Sequence, residues 1–198
     1  MKRNAQQLIE TLGKPHRGSF FRNVALEYQE TPLDAIGSCK TGGRYNKKGA
    51  FEILYAAADL ETALLETGAV LRAPDGTLIS VRRQPIVTIT IDIELQNVVD
   101  LRDAAIRTQL GLSEGDLYVP WRDLVADGKS PVTQRIGNIA RAAAIEALVV
   151  PSDKNRGKAN LAIIDSDNNL LVGSTVDIYD PKGFHAAVST TIKGKKRP

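Results

Sequence analysis

Residues 86–94 read Ile-Val-Thr-Ile-Thr-Ile-Asp-Ile-Glu, and this alternation constrains the fold more than any other stretch. Val87, Ile89, Ile91 and Ile93 share one side; Thr88, Thr90, Asp92 and Glu94 share the other. A period of two is a strand with one wet face. Two other stretches behave differently. Residues 51–58 are a continuous apolar run broken only by Glu52, and Ala147-Leu148-Val149-Val150 is unbroken. Such short runs suit strands buried on both faces. Residues 19–24 read as a further short strand. Residues 160–165 and 170–179 read as a terminal hairpin turning at Asp167-Asn168-Asn169.

Helical patterns separate these strands. Residues 3–12 carry Leu8, Ile9 and Leu12 and end at Gly13 and Pro15. Asp59 can cap a helix in which Leu60, Ala63, Leu64, Thr67 and Leu71 share a face, with Glu66 at the border as a partly buried carboxylate. Residues 101–126 read as two short helices around Gly111 and Pro120, with Trp121 as an anchor. Pro131 suits the first turn of a helix packed through Ile136, Ile139, Ala140, Ala143 and Ala144. Residues 27–49 read as mostly irregular. Strands and helices mix without strict alternation, so the expected class is α+β: mostly antiparallel sheets with flanking helices.

A chain of 198 residues suits one domain. Its 42% hydrophobic and 25% charged content is that of an ordinary globular protein, which excludes a disordered chain. Cys39 is the sole cysteine, so an intramolecular disulfide is excluded. With His16 and His185 far apart, no metal-ligand cluster is expected. No run approaches the ~20 apolar residues of a membrane span, and the start does not resemble a signal peptide. The expectation is a cytoplasmic protein without a membrane partner. The net charge of +3 comes from the end of the chain. Setting Lys193, Lys195, Lys196 and Arg197 aside from the 26 basic residues leaves 22 against 23 acidic ones. The body is therefore near neutral, and direct nucleic-acid binding is not expected. The basic end reads as a solvated tail.

The chemistry concentrates in residues 42–66. Gly42-Gly43-Arg44-Tyr45-Asn46-Lys47-Lys48-Gly49 lets backbone approach a ligand. Arg44 is either a solvated surface cation or a bidentate partner for a diphosphate. Arg22, inside an apolar strand, either points to solvent or lines a cleft as a second cation. Tyr55 is either core or a flat face for a base. Glu66 is either a solvated helix carboxylate or a stabiliser of a developing sugar cation. Ser152 and Asn160 flank a polar loop after a buried strand, as turn residues or as donors to a ligand. No Gly-x-Ser-x-Gly elbow, P-loop or dinucleotide glycine fingerprint is present, so Ser152 is not read as a hydrolase nucleophile.

Four motifs taken in order resemble the RES domain, the toxin half of bacterial Xre–Res toxin–antitoxin systems. They are Phe21-Arg22; Gly42-Gly43-Arg44-Tyr45-Asn46 with Gly49; Tyr55-Ala56 followed by Glu61-Thr62-Ala63-Leu64-Leu65-Glu66; and Val150-Pro151-Ser152 with Asn160-Leu161. The resemblance spans residues 19–180, leaving 1–18 as an N-terminal helix and linker and 181–198 as the basic tail. It implies a fold related to ADP-ribosyltransferases, with NAD as substrate and no metal. It assigns Arg22 and Arg44 to the phosphates, Tyr45 and Tyr55 to NAD contacts, and Glu66 to the ribose. Ser152 and Asn160 lie near the substrate by the same resemblance, and Glu66, Tyr55 and Arg44 form the catalytic set. It implies breakage of the nicotinamide–ribose bond and depletion of cellular NAD, with transfer of ADP-ribose to a protein target as the alternative. A cognate helix-turn-helix antitoxin of the Xre type is the implied partner, and a homodimer within that complex is compatible with it. The rival from another class is an RNA-acting toxin, resting on the basic loop at 44–48 and the tail. Here Tyr45 stands where the family often has Trp, and Lys47-Lys48 where it has prolines.

Overall fold

The computed structural model describes residues 5–81, 84–180, 182 and 191–195. Its helices are α1 (Ala5–Glu10), α2 (Ile36–Thr41), α3 (Leu60–Glu66), α4 (Ala104–Leu110), α5 (Trp121–Ala126), α6 (Val132–Ala142) and α7 (Ser166–Asn169). Its strands are β1 (Lys14–Ala25), β2 (Ile53–Ala57), β3 (Val70–Arg72), β4 (Leu78–Ser80) and β5 (Ile86–Asp100), then β6 (Ala147–Pro151), β7 (Ala159–Ile164), β8 (Thr175–Ile178) and β9 (Thr191–Lys193). Seven strands form one sheet in the order β1-β2-β7-β6-β5-β8-β9, and β5 also pairs with β1. Strands β1, β2, β7, β6 and β5 thereby close into a ring, with β8 and β9 appended to β5. Every pairing is antiparallel except β5 with β6. The α+β class expected from the sequence is the class observed.

The strand patterns explain the ring. On β5 the alternating Ile89, Ile91, Ile93 and Leu95 join Phe20, Leu54, Val149, Leu161 and Ile163 in a core enclosed by the ring. The apolar runs of β2, β6 and β7 leave no polar face, because their other sides are also covered. Ile53, Leu148, Val150, Ala162 and Ile164 meet Ile9 of α1, Ile106 of α4 and Ile136 and Ala140 of α6 in a second core.

The two long strands shift register where Lys14 pairs with Val98 but His16 with Leu95. The extra residue on β5 turns two N–H groups away from the ladder. Buried Glu146 collects them: its Oε2 accepts from Gln96 N and Asn97 N at 2.7 Å each, and its Oε1 from Leu171 N at 2.7 Å. Three backbone donors satisfy oxygens that burial would otherwise leave unpaired.

Several expectations need correction. Residues 160–165 and 170–179 do not form a hairpin. β7 lies between β2 and β6, while β8 pairs with β5 and β9. Beyond Asn160 both faces of β7 are buried, Leu161 and Ile163 in the core inside the ring and Ala162 and Ile164 in the helix-side core. The α3 stripe is also different: Thr62, Ala63 and Leu65 are buried, Leu60 is 45% exposed, and Leu71 belongs to β3. The helix stops before Leu71 because Gly68 takes the left-handed region. Trp121 is not a core anchor; it is half-buried at the head of α5 and belongs to neither core. Residues 27–49 contain a 3₁₀ turn and α2. Part of the expected basic tail, Thr191–Lys193, pairs with β8. Residues 181, 183–190 and 196–198 of that tail lie outside the described residues.

Candidate functional site

β1 and β2 meet at one register position, Phe21↔Ala57. At that join opens a cleft of about 340 Å³, a size typical of small-molecule sites. Arg22, Arg44, Tyr45, Tyr55, Glu66 and Asn160 all border it. Residues from four strands, α3 and the glycine loop therefore converge on one space, although they are dispersed in sequence.

The glycine loop is shaped by packing. Gly42 ends α2 with φ +76°, a conformation that glycine adopts without strain. Gly43 closes a turn by donating its N–H to the Asn46 carbonyl at 2.9 Å. A Cβ on Gly43 would lie 2.5 Å from Asn46 Oδ1 and 2.6 Å from the Tyr55 hydroxyl. That position is glycine because two side chains already fill its space. Asn46 is fully buried and ties the loop together. Its Nδ2 donates to the Ser38 and Phe51 carbonyls at 2.8 and 2.9 Å, and its Oδ1 accepts from the Tyr55 hydroxyl at 3.1 Å. From α6, Gln134 Nε2 donates to the Gly43 carbonyl at 3.0 Å. A Cβ on Gly137 of the same helix would overlap the Tyr45 carbonyl, so α6 and the loop are in direct backbone contact.

This frame orients the two arginines. Arg44 Nη1 donates to the Leu117 and Val119 carbonyls at 3.1 and 2.9 Å, and Nη2 pairs with Asp153 Oδ2 at 3.0 Å. Arg22 donates to three carbonyls: Nε to Pro32 at 3.0 Å, Nη1 to Tyr55 at 3.0 Å and Nη2 to Asp34 at 2.8 Å. It therefore ties the loop of Pro32 and Asp34 to β2 beside the cleft. Burial pushes its guanidinium down to about 10, partly offset by Asp34, so it stays charged at neutral pH.

Tyr45 and Tyr55 play different structural parts. Tyr45 is 1% exposed and packs in the helix-side core, so a ligand meets little of it. Its hydroxyl finds no partner among the described residues. Burial raises its phenol, the Arg44 charge lowers it and Tyr55 raises it further. The Tyr55 hydroxyl accepts from Tyr45 N at 3.1 Å while donating to Asn46. Burial raises this phenol too, against the Tyr45 N–H and the Arg44 charge. Both phenols are neutral at physiological pH.

Glu66, the last residue of α3, is exposed rather than half-buried. Asp59 starts that helix by accepting from Thr62 N at 2.8 Å. At its other end Glu66 Oε1 accepts from Ser152 Oγ at 2.6 Å and Asn160 Nδ2 at 2.7 Å. Among the described residues no donor reaches Oε2. Ser152 is fully buried and does not border the cleft; its Oγ also accepts from Asn155 N at 2.9 Å. It bonds the carboxylate from behind. Asn160 Oδ1 is buried with no partner among the described residues.

Sequence reasoning gave no role to Asp153, Gln134 or Asn46. Asp153 follows Ser152 directly, which was a usable signal; the distance between Gln134 and the loop in sequence left none. Trp121, Arg122 and Lys154 also border the cleft, with the Arg122 guanidinium 4.5 Å from the Trp121 ring. Among the described residues no group of three His, Cys, Asp or Glu side chains could hold a metal, and no helix is long and apolar enough to cross a membrane.

The RES domain profile matches residues 19–181. A search of curated proteins finds no match. The crystal structure of the M. tuberculosis MbcT–MbcA toxin–antitoxin complex contains a chain of similar fold, with a TM-score of 0.64 at 17% identity. The alignment covers 90% of this chain and 91% of that one.

Proposed function

The chain belongs to the RES domain family, and from that premise we propose that it is the toxin of a toxin–antitoxin pair that breaks the nicotinamide–ribose bond of NAD. One observation carries the chemistry. The Glu66 carboxylate is fixed through Oε1 by two neutral donors, and its Oε2 is free of donors among the described residues, in a cleft that also holds two guanidinium groups. Neutral partners orient the carboxylate without cancelling its charge.

In the proposed reaction the bond between the ribose anomeric carbon and the pyridinium nitrogen breaks. Both electrons leave with nitrogen, so nicotinamide departs neutral and needs no general acid. The ribose becomes an oxocarbenium-like cation. Glu66 stabilises it or orients the ribose hydroxyls, an effect worth about 3 kcal/mol, or about a hundredfold in rate. Arg22 and Arg44 hold the diphosphate and position the reacting carbon. Water as acceptor gives ADP-ribose and a proton. Inorganic phosphate gives a phosphorylated ADP-ribose, and a protein side chain gives ADP-ribosylation. Depletion of NAD is the expected cellular outcome. An enzyme of this kind harms its own cell, so the reading includes an antitoxin that covers the cleft, of the helix-turn-helix Xre type implied by the family.

The test is nicotinamide release from NAD, with and without phosphate, followed by mass spectrometry of the sugar product. Glu66→Gln is expected to lose about a hundredfold in rate while keeping the parent's melting temperature. Intact NAD after incubation with the parent protein, or parent-rate release by Glu66→Gln, overturns the reading.

A further inference from the structure

Arg44 is positioned and neutralised by different groups. Two fixed carbonyls, Leu117 and Val119, take both hydrogens of Nη1 and set the plane of the guanidinium. Asp153 adds nothing to that orientation that the carbonyls lack. It supplies charge: its Oδ2 sits 3.0 Å from Nη2, and it has no other partner among the described residues. Its side chain is 34% exposed, against 16% for Arg44. The carboxylate can therefore swing into water while the arginine stays in place. Both residues border the cleft, and Asp153 directly follows Ser152, which is anchored to Glu66.

We infer that Asp153 is an internal counter-anion: it occupies Arg44 in the empty cleft and is displaced when the diphosphate of an incoming ligand takes the same guanidinium edge. Anion binding at Arg44 is thus an exchange of carboxylate for phosphate. This sets a threshold for entry: a ligand must bring an anion strong enough to displace Asp153. The inference rests on the cleft accepting a phosphate-bearing ligand, as proposed above, but not on that ligand being cleaved.

The test is calorimetric titration of the full chain and of Asp153→Asn with inorganic pyrophosphate, ADP-ribose and uncharged adenosine. Removing the competing charge is expected to tighten both anions by about tenfold and to leave adenosine unchanged. The gain is expected to disappear when Arg44→Ala is added to Asp153→Asn. Asp153→Ser carries the same expectation should Asp153→Asn fail to fold. The inference is overturned if a folded variant binds both anions no tighter than the parent, if neither protein binds pyrophosphate at millimolar concentration, if adenosine gains equally, or if the gain survives loss of Arg44. Parent protein that leaves NAD intact while Asp153→Asn gains pyrophosphate affinity would sink the cleavage reading and keep this one. Active parent protein with no gain in the variant would do the reverse.

Discussion

Replacing Asn46 with alanine isolates what holds the glycine loop in place. Three bonds go: Nδ2 to the Ser38 and Phe51 carbonyls, and Oδ1 from the Tyr55 hydroxyl. Their losses are unequal. The Ser38 carbonyl still receives the Gly42 N–H at 2.9 Å. The Tyr55 oxygen still accepts from Tyr45 N, although its own proton loses its acceptor. The Phe51 carbonyl loses the one donor described for it. An orphaned buried acceptor costs about 1–3 kcal/mol and each of the other two bonds about 1 kcal/mol, giving about 3–5 kcal/mol. Total stabilities are only about 5–15 kcal/mol, so the variant sits near its unfolding threshold. Urea unfolding followed by circular dichroism reads the effect. With a slope of about 2 kcal/mol per molar, the midpoint falls by about 1.5–2.5 M. A loss below about 1 kcal/mol at unchanged slope would mean that solvent replaces the amide. The loop, and Arg44 with it, would then be held by something other than Asn46.

Two further outcomes test separate parts of the account. Glu146→Gln keeps the shape of the side chain but turns an NH₂ toward at least one of three backbone donors. It is expected to cost about 2 kcal/mol or more, lowering the melting temperature by about 4–8 °C; a melting temperature equal to the parent's would deny the bulge its anchor. Ser152→Ala leaves Glu66 held by Asn160 alone, and nicotinamide release is expected to fall about tenfold, less than for Glu66→Gln. Parent-rate release by a folded Ser152→Ala would remove that hydroxyl from the mechanism.

What was legible in the chain follows the range of the forces involved. The alternation of β5, the Asp59 cap and the unbroken apolar runs of β2 and β6 are local, and each appears where its pattern places it. Proximity in sequence favours a hairpin over 160–179, but burial places β7 between β2 and β6 instead. Leu161, Ala162, Ile163 and Ile164 are all fully buried, and an edge position beside β8 would leave one face wet. In the site, residue types were readable but their partners were not. Arg22 as a charge in an apolar strand pointed to a cleft or to solvent. Its three carbonyl acceptors come from Pro32, Asp34 and Tyr55, and backbone oxygens carry no mark in a sequence. The same holds for Arg44, whose plane is set by the carbonyls of Leu117 and Val119 from the far side of the chain.

The charges of the cleft restrict its ligand further than its shape does. Among the described residues Glu66 is bonded only by neutral donors, so no ion pair offsets its charge. Among the described residues Arg22 is hydrogen-bonded by neutral carbonyls, and the Asp34 charge offsets part of its burial. Of the two arginines, Arg44 is the one held in an ion pair among the described residues, and its partner Asp153 is partly exposed. With Asp153 turned away, the space is bordered by Glu66 and by four cations, Arg22, Arg44, Arg122 and Lys154. A ligand of one sign is attracted by one of these sets of charges and repelled by the other. On the reading proposed above, a ligand that carries both a cationic ring and a diphosphate meets both sets of charges. On the proposed reading, electrostatics helps to orient the ligand, and the bond beside the cationic ring is the one expected at Glu66.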